Sequence, residues 1–205
     1  MDARDTLALA LLITQAVIAF PLIARAVRTR SADGVSLSGE SIWVAAGVGW
    51  AVYAAGMSDL TVIASGVLAA LTSGAVAVLL WRAAATQHRA ALILGAGTAA
   101  GLAGALILAG LPGLSLALAV FGVVQFFPQL LRTLTHLRDR IPTTGVSAAG
   151  AFMRAAYTGG WAVYAGAWFL WDDEVLWPLT VWGLSGAIAF TLQGISAVRW
   201  RPVRV

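Results

Sequence analysis

The stretch Gly49-Trp50-Ala51-Val52-Tyr53-Ala54 returns, residue for residue, as Gly160-Trp161-Ala162-Val163-Tyr164-Ala165. Each copy follows a Gly-Val-Ser tripeptide, Gly34-Val35-Ser36 and Gly145-Val146-Ser147, with sixteen positions from Gly to Trp in both cases. Further upstream each copy has a Phe-Pro step inside an apolar run, Phe20-Pro21 and Phe127-Pro128. Three landmarks in one order at nearly one spacing mark a duplicated unit, even in a chain rich in Gly and Ala. The copies lie 111 residues apart, Trp50 to Trp161. That period is too long for a solenoid unit of about 20–50 residues, so each unit is a module of several helices.

Composition sets the solvent. Hydrophobic residues make up 60% of the chain, charged residues 11%, and the mean hydropathy is +0.86. Soluble domains carry about 25% charged residues, so a water-soluble fold is excluded. Seven apolar segments are read at 6–27, 42–58, 60–81, 90–111, 112–134, 151–171 and 175–199. At 1.5 Å per residue, about 20 residues suffice to cross roughly 30 Å of hydrocarbon. The expected fold is an all-α membrane protein with seven transmembrane helices, two parallel three-helix repeats joined by a linker helix. The repeats are expected at 1–81 and at 112–205 with a basic tail, and the inner loop and linker at 82–111. A single linking helix is what the topology requires, because two three-helix units fused directly would face opposite ways. Gly97 and Gly101 in the linker have the small-xxx-small spacing of close helix packing.

A net charge of +4 and a pI near 10.6 would suggest nucleic acid in a soluble protein. Here the distribution says otherwise. All thirteen basic residues are arginine. With the N-terminus outside, Arg25, Arg28, Arg30, Arg82, Arg89, Arg132, Arg138, Arg140, Arg154, Arg199, Arg201 and Arg204 fall inside, and Arg4 alone falls outside. Asp2, Asp5, Asp59, Asp172, Asp173 and Glu174 fall outside. The positive-inside rule then gives a multi-pass protein of the cell inner (plasma) membrane, with its C-terminus cytoplasmic. The basic balance is topology, and nucleic acid is not an expected partner. There is no cysteine, so neither disulfide nor thiol chemistry is available. The first segment begins acidic and lacks a small-residue cleavage site, which reads as a retained span rather than a signal peptide.

These motifs carry a resemblance. Each unit has a Pro near the inner end of its first helix, a short basic loop with Gly-Val-Ser, and Trp-x-x-Tyr in its second helix. The second unit contains the literal Pro128-Gln129 within Phe126-Phe127-Pro128-Gln129-Leu130-Leu131-Arg132, whereas the first has Phe20-Pro21-Leu22-Ile23-Ala24-Arg25. This resembles the SWEET and PQ-loop superfamily over nearly the whole chain. The resemblance implies a carrier that moves a small polar solute by rocking two three-helix bundles about a central site. Some relatives of this type carry sugars without an ion gradient, others carry amino acids with protons, and one is a retention-signal receptor, so fold does not settle function.

Trp50 and Trp161 are the leading candidates for solute binding. Trp43, Trp81, Trp168, Trp171, Trp177 and Trp200 fall at segment ends, as an interfacial aromatic belt would place them. Trp50 and Trp161 instead sit about eight to ten residues in, roughly 12–15 Å deep, near the bilayer midplane. A buried indole needs a partner for its N–H, and a flat ring suits the apolar face of a sugar. In sugar-carrying relatives the Trp of each second helix lines the pocket, which the resemblance transfers to these two positions. Core packing is the competing reading. Tyr53 and Tyr164 lie three residues on along the same face, equally suited to bonding solute or capping a carbonyl. Tyr157, four before Trp161, has Ala46 as counterpart.

Pro21, Pro128 and Gln129 are the hinge and gate candidates. An in-helix proline removes one backbone hydrogen bond and kinks its helix, and the matched positions favour a hinge over a static bend. Sugar-carrying relatives place an asparagine in the third helix of each unit, roughly fifteen residues after the Trp. This chain contains no asparagine, and the nearest polar residues are Ser65 and Thr180, with Trp182 close by. Ser and Thr offer fewer directed bonds than Asn, which weakens sugar as substrate.

No Asp, Glu or His falls centrally within a segment, whereas proton-coupled carriers bury such a relay. Asp59 and Asp172 are expected at solvated outer hairpins. His88 and His136 lie in inner loops and are too few for a metal cage. No nucleophile triad, phosphate loop or metal signature is found, so neither an enzyme nor a cofactor is expected. The reading is a facilitative transporter of a small polar solute, with sugar first. A proton-coupled amino-acid carrier and a non-transporting receptor or assembly subunit are the alternatives, and homo-oligomerisation stays open.

Overall fold

The computed structural model describes residues 3–29, 37–82, 85–139, 148–172 and 176–199. Their regular structure is helical, as the apolar runs predict. The elements are α1 (Ala3–Thr29), α2 (Leu37–Gly56), α3 (Leu60–Leu80), α4 (His88–Val124), α5 (Phe127–Asp139), α6 (Ala148–Asp172) and α7 (Trp177–Arg199). Among the described residues, Leu60–Leu80, Ala85–Val124 and Trp177–Arg199 are long and apolar enough to cross a membrane, which marks a membrane protein. α2 and α6 are diluted by Gly, Trp and Tyr.

α4 is two helical arms rather than one rod. Gly110 has φ 63° and ψ −152°, outside the right-handed helix, and Pro112 follows in the first turn of the second arm. A straight helix would hold residues 101 and 121 about 30 Å apart. Yet a Cβ built on Gly101 would lie 3.0 Å from the Phe121 ring, and one on Gly113 would lie 2.4 Å from the Ala105 carbonyl oxygen. The chain therefore doubles back at Gly110. The second arm ends at Val124, the chain breaks at Gln125 and Phe126, and α5 starts at Phe127. The expected span 112–134 is thus two pieces.

The chain folds as two compact units, Met1–Phe121 and Gly122–Val205. In the first unit α3 packs on both α1 and α2, and in the second α7 packs on both α5 and α6. The α2–α3 crossing is made of backbone. A Cβ on Gly66 would lie 2.6 Å from the Gly47 carbonyl oxygen, and one on Gly47 would lie 2.7 Å from that of Gly66. Only glycine lets two helices approach so closely. The α6–α7 crossing uses Gly183, whose Cβ would lie 2.6 Å from the Thr158 carbonyl oxygen and 2.7 Å from the Ala162 nitrogen. Gly66 makes its corresponding contacts with Gly47 and Ala51.

Outward-facing apolar residues recur with the same spacing. α3 exposes Leu60, Val67, Leu71 and Val78, and α7 exposes Trp177, Leu184, Ile188 and Ile195, each 117 positions later. α1 exposes Leu9, Ile13 and Val17, and the second arm of α4 exposes Leu116, Val120 and Val124, each 107 later. Val52 and Val163, from the duplicated hexapeptide, are both exposed. Apolar stripes of this kind suit a helix whose outer face meets hydrocarbon.

Arg154 and Asp59 stand differently from expectation. Arg154 lies six residues inside α6 rather than three into the expected segment 151–171, with its guanidinium carbon 5.6 Å from the Phe190 ring centroid. Asp59 is buried rather than solvated. Its Oδ1 caps α3, accepting from the Thr61 and Val62 backbone N–H groups at 2.9 and 3.1 Å. Buried amide ends need such an acceptor.

Candidate functional site

Successive residues on a helix turn by about 100°, so positions three apart share a face while the residue between them faces elsewhere. The hexapeptide obeys this in both copies. Trp50 and Tyr53 are buried with ring centroids 6.0 Å apart and edge-to-face, and Trp161 and Tyr164 are buried with centroids 5.3 Å apart. Each intervening valine is exposed. Trp161 is the tighter of the two tryptophans, 1% exposed against 8% for Trp50. Among the described residues its Nε1–H has no hydrogen-bond partner. A donor buried without an acceptor costs about 1–3 kcal/mol, so this N–H is a candidate for a ligand or a water.

The second unit extends the pair into a chain of rings. Tyr157, one turn before Trp161, stands edge-to-face with both Trp161 and Trp182, with centroids 6.4 Å away in each case. Trp182 meets Phe126 at 6.5 Å, and Phe126 meets Phe190 at 5.5 Å, beneath the Arg154 guanidinium. Tyr157 and Trp182 were within reach of the sequence, as an aromatic one turn from the motif and an indole deep in the last helix.

The polar candidates separate. The Ser65 hydroxyl donates to the Gln15 carboxamide oxygen at 2.7 Å, and Gln15 Nε2 donates to the Ser65 carbonyl oxygen at 3.1 Å. Gln15 is 8% exposed. It was missed in the sequence although it is an amide in the middle of an apolar run, which is the signal that finds it. The Thr180 hydroxyl donates to its own helix, at the Leu176 carbonyl oxygen, 3.3 Å away. Pairing Thr180 with Ser65 is also corrected by the register of the outward stripes, which sets Trp182 at the place in α7 that Ser65 holds in α3. Gly122 stands 107 positions after Gln15, and a Cβ on it would lie 3.1 Å from the Trp182 ring.

Pro21 falls inside the unbroken α1, whereas Pro128 is the second residue of α5, where a missing N–H costs no helical bond. The bend near Pro128 is the break at Gln125 and Phe126, so the matched in-helix kink is not found there. The side chains of Pro21, Pro128 and Gln129, the two Gly-Val-Ser tripeptides and Asp173 lie outside the described residues. At the α3–α4 turn His88 stacks on Trp81 with centroids 4.0 Å apart, and its Nε2 meets the Trp81 carbonyl. The Gln87 side chain accepts from the Leu37 N–H at 2.9 Å. No family model and no curated protein matches the chain.

Proposed function

We propose that this protein is a seven-span facilitative transporter of a small polar solute, with sugar as the first class to test. It would work by alternating access of two parallel three-helix repeats joined by the first arm of α4. The observation that carries the reading is the shared internal register of the two units around the duplicated indole. In each, the third helix packs on the other two, crosses the second through glycine one turn from the Trp, and turns matched apolar residues outward. Chance similarity in one helix would not match burial in both the second and third helices. Duplicated helix bundles with binding groups at mid-depth are the build of secondary carriers. Trp50 and Trp161 are the proposed stacking residues, with Tyr53, Tyr164, Ser65 and Thr180 as the polar candidates. Thr180 is the weakest of these because its hydroxyl already serves its own helix.

The deciding experiment is flux in proteoliposomes with a panel of radiolabelled sugars and neutral amino acids, with and without an imposed pH gradient. The reading expects one class to equilibrate down its own gradient with little response to pH. Uphill accumulation driven by protons would replace it with the proton-coupled alternative. Absence of flux and of ligand-induced thermal stabilisation across the panel would leave the receptor or assembly reading.

A further inference from the structure

We infer that Gln125, at the break between α4 and α5, supplies the acceptor with which this carrier recognises a solute hydroxyl. The inference rests on the carrier reading above and uses the second unit alone. It starts from the backbone at the break. The Phe126 N–H donates to the Val123 carbonyl at 3.1 Å, and the Leu130 N–H donates to the Phe126 carbonyl at 2.8 Å, so one helix stops and the next starts within two residues. In an unbroken helix the Phe126 N–H would have served the Gly122 carbonyl. The Gln125 side chain serves it instead, donating from Nε2 at 3.3 Å. One carbonyl oxygen cannot donate to another, so this bond settles which end of the amide is nitrogen. The other end, Oε1, is left buried with no partner among the described residues. A buried acceptor without a donor is costly, and such an atom in a native fold calls for an explanation. Polar groups of the first unit answer one another instead, Gln15 exchanging two hydrogen bonds with Ser65 and Asp59 capping α3.

Gly122 joins this amide to the rings of the second unit. Its carbonyl holds Gln125, and a Cβ on it would lie 3.1 and 3.2 Å from Trp182 atoms. Trp182 stands edge-on to Tyr157 with centroids 6.4 Å apart and tilted against Phe126 at 6.5 Å. A few placed polar atoms beside apolar ring surface are the usual lining of a small-molecule site. On the seven-span reading the break falls inside the fifth span. Non-helical backbone persists at that depth only where it is buried in protein or lines a cavity, and carriers bind their solutes at broken helices. The missing partner of Oε1 must donate. A carboxylate only accepts, so it has nothing to give. An ammonium donates, but one neutral amide oxygen does not offset the desolvation of a charge. The Arg154 guanidinium already brings positive charge to this unit, over Phe190, whose ring is 5.5 Å from that of Phe126. A neutral hydroxyl is the donor that fits.

The test is a cycle between protein and solute on the full chain. Glucose and its monofluorodeoxy analogues are the first probes, replaced by the galactose or mannose set where flux selects those sugars. Fluorine keeps the size of a hydroxyl and removes its donor. Affinity is read by ligand-induced thermal shift on wild type, Gln125→Met and Gln125→Glu. In the wild type, fluorine at one position of the sugar is expected to weaken binding about three- to tenfold, the worth of one hydrogen bond. In Gln125→Met, which keeps the length and removes the acceptor, that penalty is expected to shrink to within about twofold while the other positions keep theirs. Gln125→Glu, protonated and donating to the Gly122 carbonyl, keeps an oxygen at the place of Oε1 and should keep the penalty at the same position. If Gln125→Met is not monodisperse, the glutamate variant decides, and a penalty that moves or vanishes overturns the inference. An oxygen served by resident water, or a purely structural Gln125, would weaken every analogue by one common factor; that result overturns the inference and leaves the carrier reading intact. So does a wild type indifferent to fluorine at every position, or one that transports only a panel solute without a hydroxyl. A wild type with neither binding nor flux fails at the earlier step, the carrier reading itself, and takes this inference with it.

Discussion

Trp161 is a core residue that is also proposed to meet the solute. It is 1% exposed, flanked edge-on by Tyr157 and Tyr164, and its N–H has no acceptor among the described residues. Truncation to alanine is a poor probe, because emptying a fully buried Trp costs about 3–5 kcal/mol and confuses folding with binding. Trp161→Phe keeps an apolar ring in the same place and removes the N–H. If a solute oxygen is the missing acceptor, this variant is expected to melt no lower than the wild type, since it also removes a buried unpaired donor. Solute affinity should fall about tenfold, close to one buried hydrogen bond. Thermal unfolding with and without the transported solute separates the two effects. A lower melting temperature with unchanged affinity would make the N–H a structural group bound to water.

At the scale of elements, close approach of helices is written in glycine, and the glycines are not equal. Gly66 and Gly183 each face a carbonyl oxygen at 2.6 Å from where a Cβ would stand, and neither neighbour is a side chain that can swing away. Alanine there forces α3 from α2, or α7 from α6. Each substitution is expected to cost about 1–3 kcal/mol, the usual penalty of overpacking. Gly97 is the control, because nothing lies within 4 Å of its Cβ position. Gly97→Ala should stabilise by up to about 1 kcal/mol through helix propensity alone. Thermal unfolding of the three variants checks the ordering. Equal effects at all three would mean that the crossings relax freely and do not hold the bundles. The sequence showed that helices exist here but not their register. In a membrane helix the outward face is as apolar as the core, so Leu71 and Val76 read alike although one is exposed and the other buried. The second helices could be matched because an identical hexapeptide labels them. The third helices could not, since the offset grows from 111 to 117 across the turn after α6, and Ser65 was set against Thr180 instead of Trp182. The break at Gln125 and Phe126 was hidden for a similar reason, because apolar residues continue on both sides.

At the scale of the whole molecule, orientation rests on charge counted across segments and is independent of any solute. α3 has 21 residues and a length of about 31 Å, enough to carry its ends to opposite faces of a bilayer. Ser58 is exposed in the turn before it, with φ 57°, and Thr86 is exposed in the turn after it, beside Arg82 and Arg89. With twelve of thirteen arginines assigned to one side, the positive-inside rule expects the turn holding Thr86 in the cytoplasm and the turn holding Ser58 outside. The chain has no cysteine of its own, so single cysteines report without background. Ser58→Cys is expected to react with a membrane-impermeant maleimide on intact cells, and Thr86→Cys only after the membrane is opened. Both sites are exposed, so failure to label reports the membrane and not burial. Labelling of both from outside would mean that α3 does not cross, and the seven-span count would fall with it. Opposite labelling with the sides reversed would keep α3 as a span and remove the arginine argument, placing the turn that holds Thr86 outside the cell.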